Sequence, residues 1–432
     1  MSARPAPWRL IGAVWLLSSL VIVGCLLWPA SPTRVAPMNT PALASADPAA
    51  QIERGRLLAL QGNCAACHTP AGGPDYAGGV PLGTPFGTVF GGNLTPAPSG
   101  LGGWSADDFW RALHWGESRD GRLLTPAFPL NNFTHISRAD SDALWAYLQQ
   151  LPAVDAPSKA HELRWPYGTQ AAQKVWRALF FRPADALASA PETLDQRGIY
   201  LVNGLGHCSA CHAPRNALAG SFEPMSLAGG DLPNGWHAPS LLDPAEAGVQ
   251  TWPQEGVVAL LQHGRWQQHL STGPMAEVVH GSLRHWPDAD IAAVAQHLRQ
   301  LPTQTVPRSP AASAPLDLRE LGDRIYQQQC AQCHGEQGQG FALANGEWAY
   351  PPLAGTRSVT QHSPANALHS VLHGGFSLLA PGVEQPFGMP PFVLELKDVE
   401  LAAVLTHLRT QWGNRAGAVT PLQVQQLRAA RH

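Results

Sequence analysis

The chain has 432 residues; 14% are charged, 44% are hydrophobic, and the formal net charge is −3. A nucleic-acid-binding protein would carry an excess of basic residues, which this chain does not have. The high hydrophobic content excludes an intrinsically disordered protein. The length is sufficient for about three domains. The 42 glycines and 40 prolines indicate a chain rich in turns, which favours short elements around a large apolar cofactor.

The first predicted element is the apolar segment Leu10–Trp28, close to the length that spans a bilayer. Arg4 and Arg9 precede it, and no Lys or Arg follows before Arg34. Because cytoplasmic flanks carry the excess of positive charge, the N-terminus is expected in the cytoplasm and the rest of the chain outside. We therefore predict a transmembrane anchor and linker over residues 1–49, with the body on the periplasmic side of a bacterial inner membrane.

Two other interpretations of the apolar segment are open. The sequence Ile22-Val23-Gly24-Cys25 resembles the lipobox of bacterial lipoproteins, in which Cys25 would carry the lipid, although the apolar run continues beyond it. A cleaved signal peptide is the other interpretation, with Ala44-Ser45-Ala46 as the nearest cleavage pattern, far past the apolar run. All three interpretations export the chain.

Six of the seven cysteines form three Cys-x-x-Cys-His motifs. The motifs comprise Cys64, Cys67 and His68; Cys208, Cys211 and His212; and Cys330, Cys333 and His334. Cysteines three apart lie on one side of a helical turn, where each thiol can add to a heme vinyl group, and the next His reaches the iron as proximal ligand. A zinc site would need paired Cys-x-x-Cys units without a fixed trailing His, and a thioredoxin-like site would need a βαβ context. We therefore predict three covalently bound heme c groups.

The flanks of the motifs repeat as well. Each repeat is predicted to have a short helix with a glycine before the motif, a middle helix that ends near a glycine, and a longer closing helix. The preceding glycines are Gly55, Gly198 and Gly322; the middle helices cover 111–116, 260–264 and 370–375; the closing helices cover 136–152, 286–302 and 396–412. The predicted fold is all-α, with three tandem class I-type cytochrome c domains, loop-rich around the hemes, after an N-terminal anchor helix.

The predicted domains cover residues 50–155, 190–303 and 316–413, which we call the first, second and third repeat. The connection 156–189 is expected to contain a helix within 165–181. The connection 304–315 is rich in Pro, Ala and Ser and is predicted to be an extended linker. Residues 414–432 are predicted to be a C-terminal tail.

Methionine is the usual sixth iron ligand in electron-carrying cytochromes c. Met275 and Met389 lie in the loops before the closing helices of the second and third repeats, so they are predicted to ligate the second and third irons. Met225 follows its motif too closely and is expected to be a packing residue. His297 and His407 are expected to be packing positions on the closing helices.

The chain resembles the triheme cytochrome c subunits of membrane-bound bacterial dehydrogenases, the alcohol dehydrogenase cytochrome c subunit family. The resemblance covers about residues 50–413, and the matching stretches are 83–96, 204–218, 350–355 and 389–392. It implies an electron-transfer subunit that takes electrons from a catalytic dehydrogenase and passes them to ubiquinone or another respiratory acceptor. The implied partner is a quinoprotein alcohol dehydrogenase, a flavoprotein sugar or polyol dehydrogenase, or a molybdenum aldehyde or heterocycle dehydrogenase. The resemblance implies no substrate catalysis by this chain alone.

The first repeat departs from the family pattern. The family has Pro-Ala-Met-Pro where this chain has Pro126-Ala127-Phe128-Pro129, and no Met occurs between His68 and Met225. The first iron is therefore expected to lack a Met ligand, leaving His135, His114, a weak Asn131, Asn132 or water ligand, or none. A peroxidase-like heme enzyme that uses this open position is the alternative function, and a scaffolding role is a third.

Overall fold

The computed structural model describes residues 47–305, 315–344, 348–375 and 388–429. The predicted anchor, Cys25 and most of the linker 304–315 lie outside the described residues. Within the described ranges, no helix is both long and apolar enough to cross a membrane.

The described chain divides into two compact units. The first unit contains the chain up to Arg56, Cys67–Ala190 and Asn216–Pro224; the second contains Leu57–Ala66, Pro191–Arg215 and the chain from Met225. The second unit thus includes residues 57–66, which lead into the first motif and contain its first cysteine, Cys64.

The elements before the second motif are mostly helical, with one small sheet. In chain order they are α1 Pro48–Gln61, α2 Cys64–His68, β1 Pro81–Thr84, β2 Gly87–Phe90, α3 Ala106–Trp115, α4 Leu130–Phe133, α5 Arg138–Leu148, β3 Glu162–Leu163, α6 Gln170–Phe180 and α7 Leu194–Asn203. Strands β1, β2 and β3 form an antiparallel sheet in that order.

Each of the remaining two repeats also has a motif helix, a short strand pair, a middle helix and a closing helix, with further short elements between them. The remaining elements are α8 Ser209–His212, β4 Gly230–Asp231, β5 His237–Ala238, α9 Gln254–His263, β6 Arg265–Trp266, β7 His269–Leu270, α10 Pro274–Gly281, the 3-10 helix Leu283–His285, α11 Asp288–Gln300, α12 Leu316–Gln329, α13 Ala331–His334, β8 Phe341–Ala342, β9 Trp348–Tyr350, α14 Arg357–Thr360, α15 Ala365–His373, α16 Asp398–Thr410 and α17 Pro421–Ala429. The all-α prediction thus needs a correction: the Gly- and Pro-rich loops also form short antiparallel strand pairs.

The first and closing helices of each repeat cross at a glycine. A Cβ atom on this glycine would lie only 1.9–2.3 Å from a carbonyl oxygen of the closing helix, too close for any side chain. The three pairs are Gly55 with Ala143, Gly198 with Ala293, and Gly322 with Ala403. The glycines that precede the motifs in the sequence therefore let two helix backbones touch.

Ion pairs and histidines support the same crossings. Arg54 pairs with the buried Asp140 at 2.5 Å, and Arg197 pairs with Asp290 at 2.8 Å through the equivalent helices. His407 is 5% exposed and stacks on Tyr326 with ring centroids 5.3 Å apart. His297 has its Cβ next to Gly198. The interpretation of His297 and His407 as packing positions is confirmed.

The C-terminal segment belongs to the fold. Val424 on α17 is fully buried in the core cluster of the third repeat, together with Leu401 and Leu405 of α16. Arg428 donates hydrogen bonds to the carbonyls of Val393 and Leu396. The segment predicted to be a tail therefore continues the third repeat as a packed helix.

Candidate functional site

Each motif histidine is held by a backbone carbonyl from a distant loop. The ring Nδ1 donates to the carbonyl oxygen at 2.6–2.8 Å, and the three bonds join His68 to Gly92, His212 to Pro239, and His334 to Pro351. A carbonyl oxygen can only accept, so the bond fixes the proton on Nδ1. The Nε2 lone pair is therefore available to a metal.

Burial keeps these rings in the ligand form. It lowers the pKa of His68, His212 and His334, and the carbonyl hydrogen bond opposes this only in part. A neutral imidazole is the form that binds iron. The motif helices α2, α8 and α13 also end at these histidines, so the ring position follows directly from the cysteines.

The main chain around each motif follows one pattern. The carbonyl of each motif histidine accepts a hydrogen bond of 2.7–2.8 Å from a glycine N–H further along the chain. The donors are Gly78, Gly229 and Gly340, and all three have a φ between 73° and 89° that favours glycine. The same turn thus leads each loop back over its motif.

The motif cysteines suit thioether formation. Burial, with smaller contributions from neighbouring groups, raises the pKa of Cys208 to about 12 and that of Cys330 to about 11. Each of these two side chains is therefore a neutral thiol at pH 7. Together, cysteine pair, oriented histidine and recurring loop fit a covalently bound heme c.

The loops after the middle helices show which residues occupy equivalent positions. The cap glycines Gly116 and Gly264 each accept a hydrogen bond at their carbonyl, from Leu124 N–H at 2.9 Å and Ser271 N–H at 2.7 Å. Phe128 and Met275 both lie four residues after these donors. The structure therefore supports the sequence alignment of Phe128 with Met275.

Met389 is placed differently. Its backbone forms a two-way antiparallel bridge with Gly375, with both N–O distances 2.9 Å, directly after α15 ends. Its side chain packs on the core of the third repeat. Met225 lies beside the second motif, where its sulfur is 4.0 Å from the hydroxyl of Ser209.

The first repeat has an added helix near its Phe128 loop. Arg177 of α6 donates to the carbonyls of Trp115 and Gly116 at 2.5 and 3.3 Å. Gln170 of the same helix bonds both backbone groups of Leu123. The helix predicted within 165–181 therefore packs on the end of α3.

The candidate ligands of the first iron are also located by the structure. Phe128 packs edge-on against Phe133, with centroids 5.0 Å apart. His114 is buried and stacks on Trp110 at 4.5 Å; burial lowers its pKa to about 4, opposed by backbone groups of Thr134 and Ala184. His135 is half-buried, and burial lowers its pKa.

The carbonyl partners of the motif histidines were not predicted from the sequence. Gly92 and Pro351 lie inside the stretches 83–96 and 350–355 that carry the family resemblance, so a signal was present. Pro239 lies outside these stretches, so no sequence signal pointed to its hydrogen bond with His212, which joins residues 27 positions apart.

Comparison with known proteins agrees with this geometry. The cytochrome c family matches residues 52–152 and 320–412. The alcohol dehydrogenase (quinone) cytochrome c subunit of Gluconobacter oxydans (strain 621H) is 34% identical over 88% of this chain and 82% of that protein. The gluconate 2-dehydrogenase cytochrome c subunit of Pantoea cypripedii is 34% identical over 88% of this chain and 90% of that protein. The fructose dehydrogenase cytochrome subunit of Gluconobacter japonicus is 30% identical over 96% and 89%.

These similarities run along nearly the whole chain and along most of each relative, and the motif geometry is that of heme c attachment. The chain belongs to the family of cytochrome c subunits of membrane-bound dehydrogenases, and its function is electron transfer.

Proposed function

We propose that this chain carries three covalently bound heme c groups in three tandem class I-type cytochrome c domains. The observation that carries the proposal is the threefold recurrence of one geometry: motif helix, Nδ1-to-carbonyl bond and returning glycine. The domains would follow the repeats 50–155, 190–303 and 316–413.

The residues of each motif have distinct roles toward the heme. The cysteine pair would bind the porphyrin through two thioether bonds, and the histidine Nε2 would bind the iron. The heme supplies a one-electron carrier that alternates between ferric and ferrous iron. The carbonyls of Gly92, Pro239 and Pro351 hold the Nδ1 proton in place, which orients the ring and increases its basicity toward the metal.

Met275 and Met389 are the proposed sixth ligands of the second and third irons. Each lies between a middle helix and a closing helix of its repeat. A thioether ligand stabilises ferrous iron and raises the reduction potential relative to a second histidine. Replacing either Met with Ala should remove one sulfur-to-iron absorption band in the far red, and unchanged spectra in both variants would contradict the assignment.

The proposed partner is a catalytic dehydrogenase subunit acting on an alcohol, aldehyde, polyol or heterocyclic substrate. The relatives are named as subunits of alcohol, gluconate and fructose dehydrogenases, and a nicotinate dehydrogenase subunit of Pseudomonas putida is 35% identical over 87% of this chain and 31% of that protein. The proposed acceptor is ubiquinone or another component of the respiratory chain. Identification of the dehydrogenase that co-purifies with this chain tests the assignment.

The proposed location is the periplasmic face of the inner membrane. The apolar segment Leu10–Trp28, with Arg4 and Arg9 before it, supports an N-terminal anchor, and Cys25 offers lipidation as the alternative means of attachment.

The number of hemes is the first test. The intact mass of the purified protein should exceed the mass of the polypeptide by three hemes, which acid-acetone extraction should not remove. Replacing both Cys208 and Cys211 with Ser should remove one heme and leave two. A mass increase of two hemes or fewer in the unaltered protein would contradict the proposal.

A further inference from the structure

The segment that leads into the first motif is fixed inside the second compact unit. Residues 57–66 belong to that unit together with the second motif and the closing helix α11. Hydrogen bonds from three side chains hold the segment there. Ser282 Oγ lies 2.6 Å from the carbonyl of Leu60 and 3.2 Å from that of Gln61, and Gln61 Nε2 donates to Asp290 Oδ2 at 2.6 Å. His207 Nε2 donates to the carbonyl of Gly62 at 3.3 Å.

The last of these bonds joins residues next to two heme attachment sites. His207 is the residue directly before Cys208, and Gly62 lies two residues before Cys64. Since the acceptor is a backbone carbonyl, the imidazole must donate the hydrogen. The first and second attachment sites are therefore linked by a single hydrogen bond and a few covalent bonds on either side.

The backbone is shaped to make this approach possible. Asn63 and His207 occupy the same position before their motifs, and both have a left-handed backbone, with φ of 47° and 35°. A Cβ atom on Gly62 would lie 3.3 Å from a methyl carbon of Leu205 and 3.2 Å from the sulfur of Cys64. Non-glycine residues adopt positive φ rarely, so its occurrence at both equivalent positions marks a specific feature of this pair.

The third motif lacks this feature. The residue before Cys330 is Gln329, the last residue of α12, and the helix runs directly into the motif. The left-handed residue and the close approach are thus confined to the first and second motifs and are not a general requirement of heme attachment in this chain.

We propose that His207 is a positioning residue for electron exchange between the heme attached at Cys64 and the heme attached at Cys208. The inference rests on the proposed presence of both hemes. The covalent chain runs from the sulfur of Cys64 through Asn63 to the Gly62 carbonyl, and from the imidazole of His207 to the sulfur of Cys208. The hydrogen bond closes this path between the two cysteine sulfurs.

The electron step itself is simple. The hemes held by Cys64 and Cys208 would exchange one electron between ferrous and ferric iron, with no bond broken and no proton moved. The role of His207 is to connect the attachment points at Cys64 and Cys208, which lie in the same compact unit. Electron tunnelling is faster through a hydrogen bond than across an unbonded gap, so loss of this contact should slow the exchange.

The test compares variants of the full heme-loaded chain. Substoichiometric reductant is mixed with the oxidised protein, and the distribution of the electron among the hemes is followed by rapid freeze-quench EPR. His207→Phe fills the space but cannot donate, so exchange between the first and second hemes should slow several-fold. His207→Gln keeps a donor and should restore most of the rate, which a purely space-filling role would not produce.

His263→Phe is the matched control, because His263 is an exposed histidine at the end of α9 in the same repeat. Electron exchange in this variant should be as fast as in the unaltered protein. If His207→Phe does not accumulate, His207→Ala compared with His207→Gln makes the same distinction. If intact mass shows three hemes and the donor and non-donor variants exchange electrons at the same rate, the inference about His207 is overturned but the proposed function is not. Absence of a heme from the first motif in the unaltered protein would overturn the proposed function as well.

Discussion

At the scale of single residues, the heme sites depend on backbone carbonyls more than on side chains. Gly92, Pro239 and Pro351 contribute nothing but a carbonyl oxygen, yet each sets the tautomer and the orientation of a motif histidine. A side-chain substitution cannot remove such an acceptor. Tuning among the three sites is therefore expected on the opposite side of the iron, where the side chains differ.

Phe128 is the position where this difference is greatest. Phe128 and Met275 each lie four residues after an equivalent hydrogen-bonded residue, although Met275 stands in α10 and not in a loop as predicted. Phe128→Met should therefore supply a thioether to the first iron. We expect the EPR signal of one high-spin ferric heme to be replaced by a low-spin signal, and a further sulfur-to-iron band to appear in the far red.

Phe133→Met is the control for this change, because Phe133 packs against Phe128 and its replacement adds a sulfur at the neighbouring position. It should leave the high-spin signal in place. Three low-spin signals in the unaltered protein would contradict the expectation, and loss of one of them in His135→Ala or His114→Ala would identify a histidine ligand instead.

His237 provides a prediction about pH. Burial lowers its pKa, but the hydrogen bond to Asp231 and the negative charges of Glu246 and Asp231 outweigh burial and raise the pKa to about 9. The ring Nδ1 is 2.7 Å from Asp231, and Nε2 is 4.0 Å from Glu246. A raised pKa in the folded state means that protonation favours folding: the contribution is complete below about pH 6.5 and is lost as the pH rises through about 9.

The free energy of unfolding should therefore fall between pH 7 and pH 10 by an amount on the order of 1–3 kcal/mol, allowing for the exposure of Asp231. His237→Gln should abolish this part of the decline, as measured by denaturant unfolding at several pH values. His263→Gln, which removes an exposed histidine, should keep it. An identical pH profile for His237→Gln and the unaltered protein would contradict the assignment.

At the scale of elements, each repeat is organised by the crossing of its first and closing helices. The backbones touch at a glycine, and the arginine–aspartate pairs of the first two repeats lie on the same helices. The contact leaves no room for a side chain, so the glycine is required although it weakens helix formation by about 1 kcal/mol relative to alanine.

Gly322→Ala should therefore destabilise the protein despite the better helix propensity of alanine. The new Cβ would lie 2.2 Å from the carbonyl oxygen of Ala403, and backbone on both sides cannot yield easily. We expect a loss of about 2–3 kcal/mol in the unfolding transition of the third repeat. Gly417→Ala is the matched control, because a Cβ at Gly417 meets nothing within 4 Å; it should change the stability by about 0.5 kcal/mol or less.

The sequence predicted these elements unevenly, for physical reasons. Closing helices were predictable because apolar residues recur at three- and four-residue steps; 136–152 contains α5 and 396–412 contains α16. Middle helices were recognisable from their terminal glycines. The last helix, α17, was missed because Val424 is its single buried residue and polar residues separate its few apolar ones. The carbonyl partners of the motif histidines were missed because they depend on contacts between distant segments.

At the scale of the whole molecule, the predicted membrane attachment falls on residues 1–49, most of which precede the described residues. A chain that lacks residues 1–30 but carries a cleavable export signal should be released from the periplasm in soluble form with its hemes. Fractionation followed by heme staining measures this. Continued attachment to membranes would indicate that a partner protein or another part of the chain, such as residues 414–432, holds the protein there.

Residues 57–66 show that the unit of folding is larger than the unit of repetition. Leu58 and Ala59 are almost fully buried, and the neighbouring Gln61 bonds to a residue more than 200 positions later in the chain. A fragment limited to residues 50–155 would keep its motif but lose Asp290, Ser282 and His207. A recombination event that exchanges the first repeat alone would separate residues 57–61, the C-terminal end of α1, from their neighbours in the second unit. Such proteins are thus expected to be inherited and to diversify as whole chains.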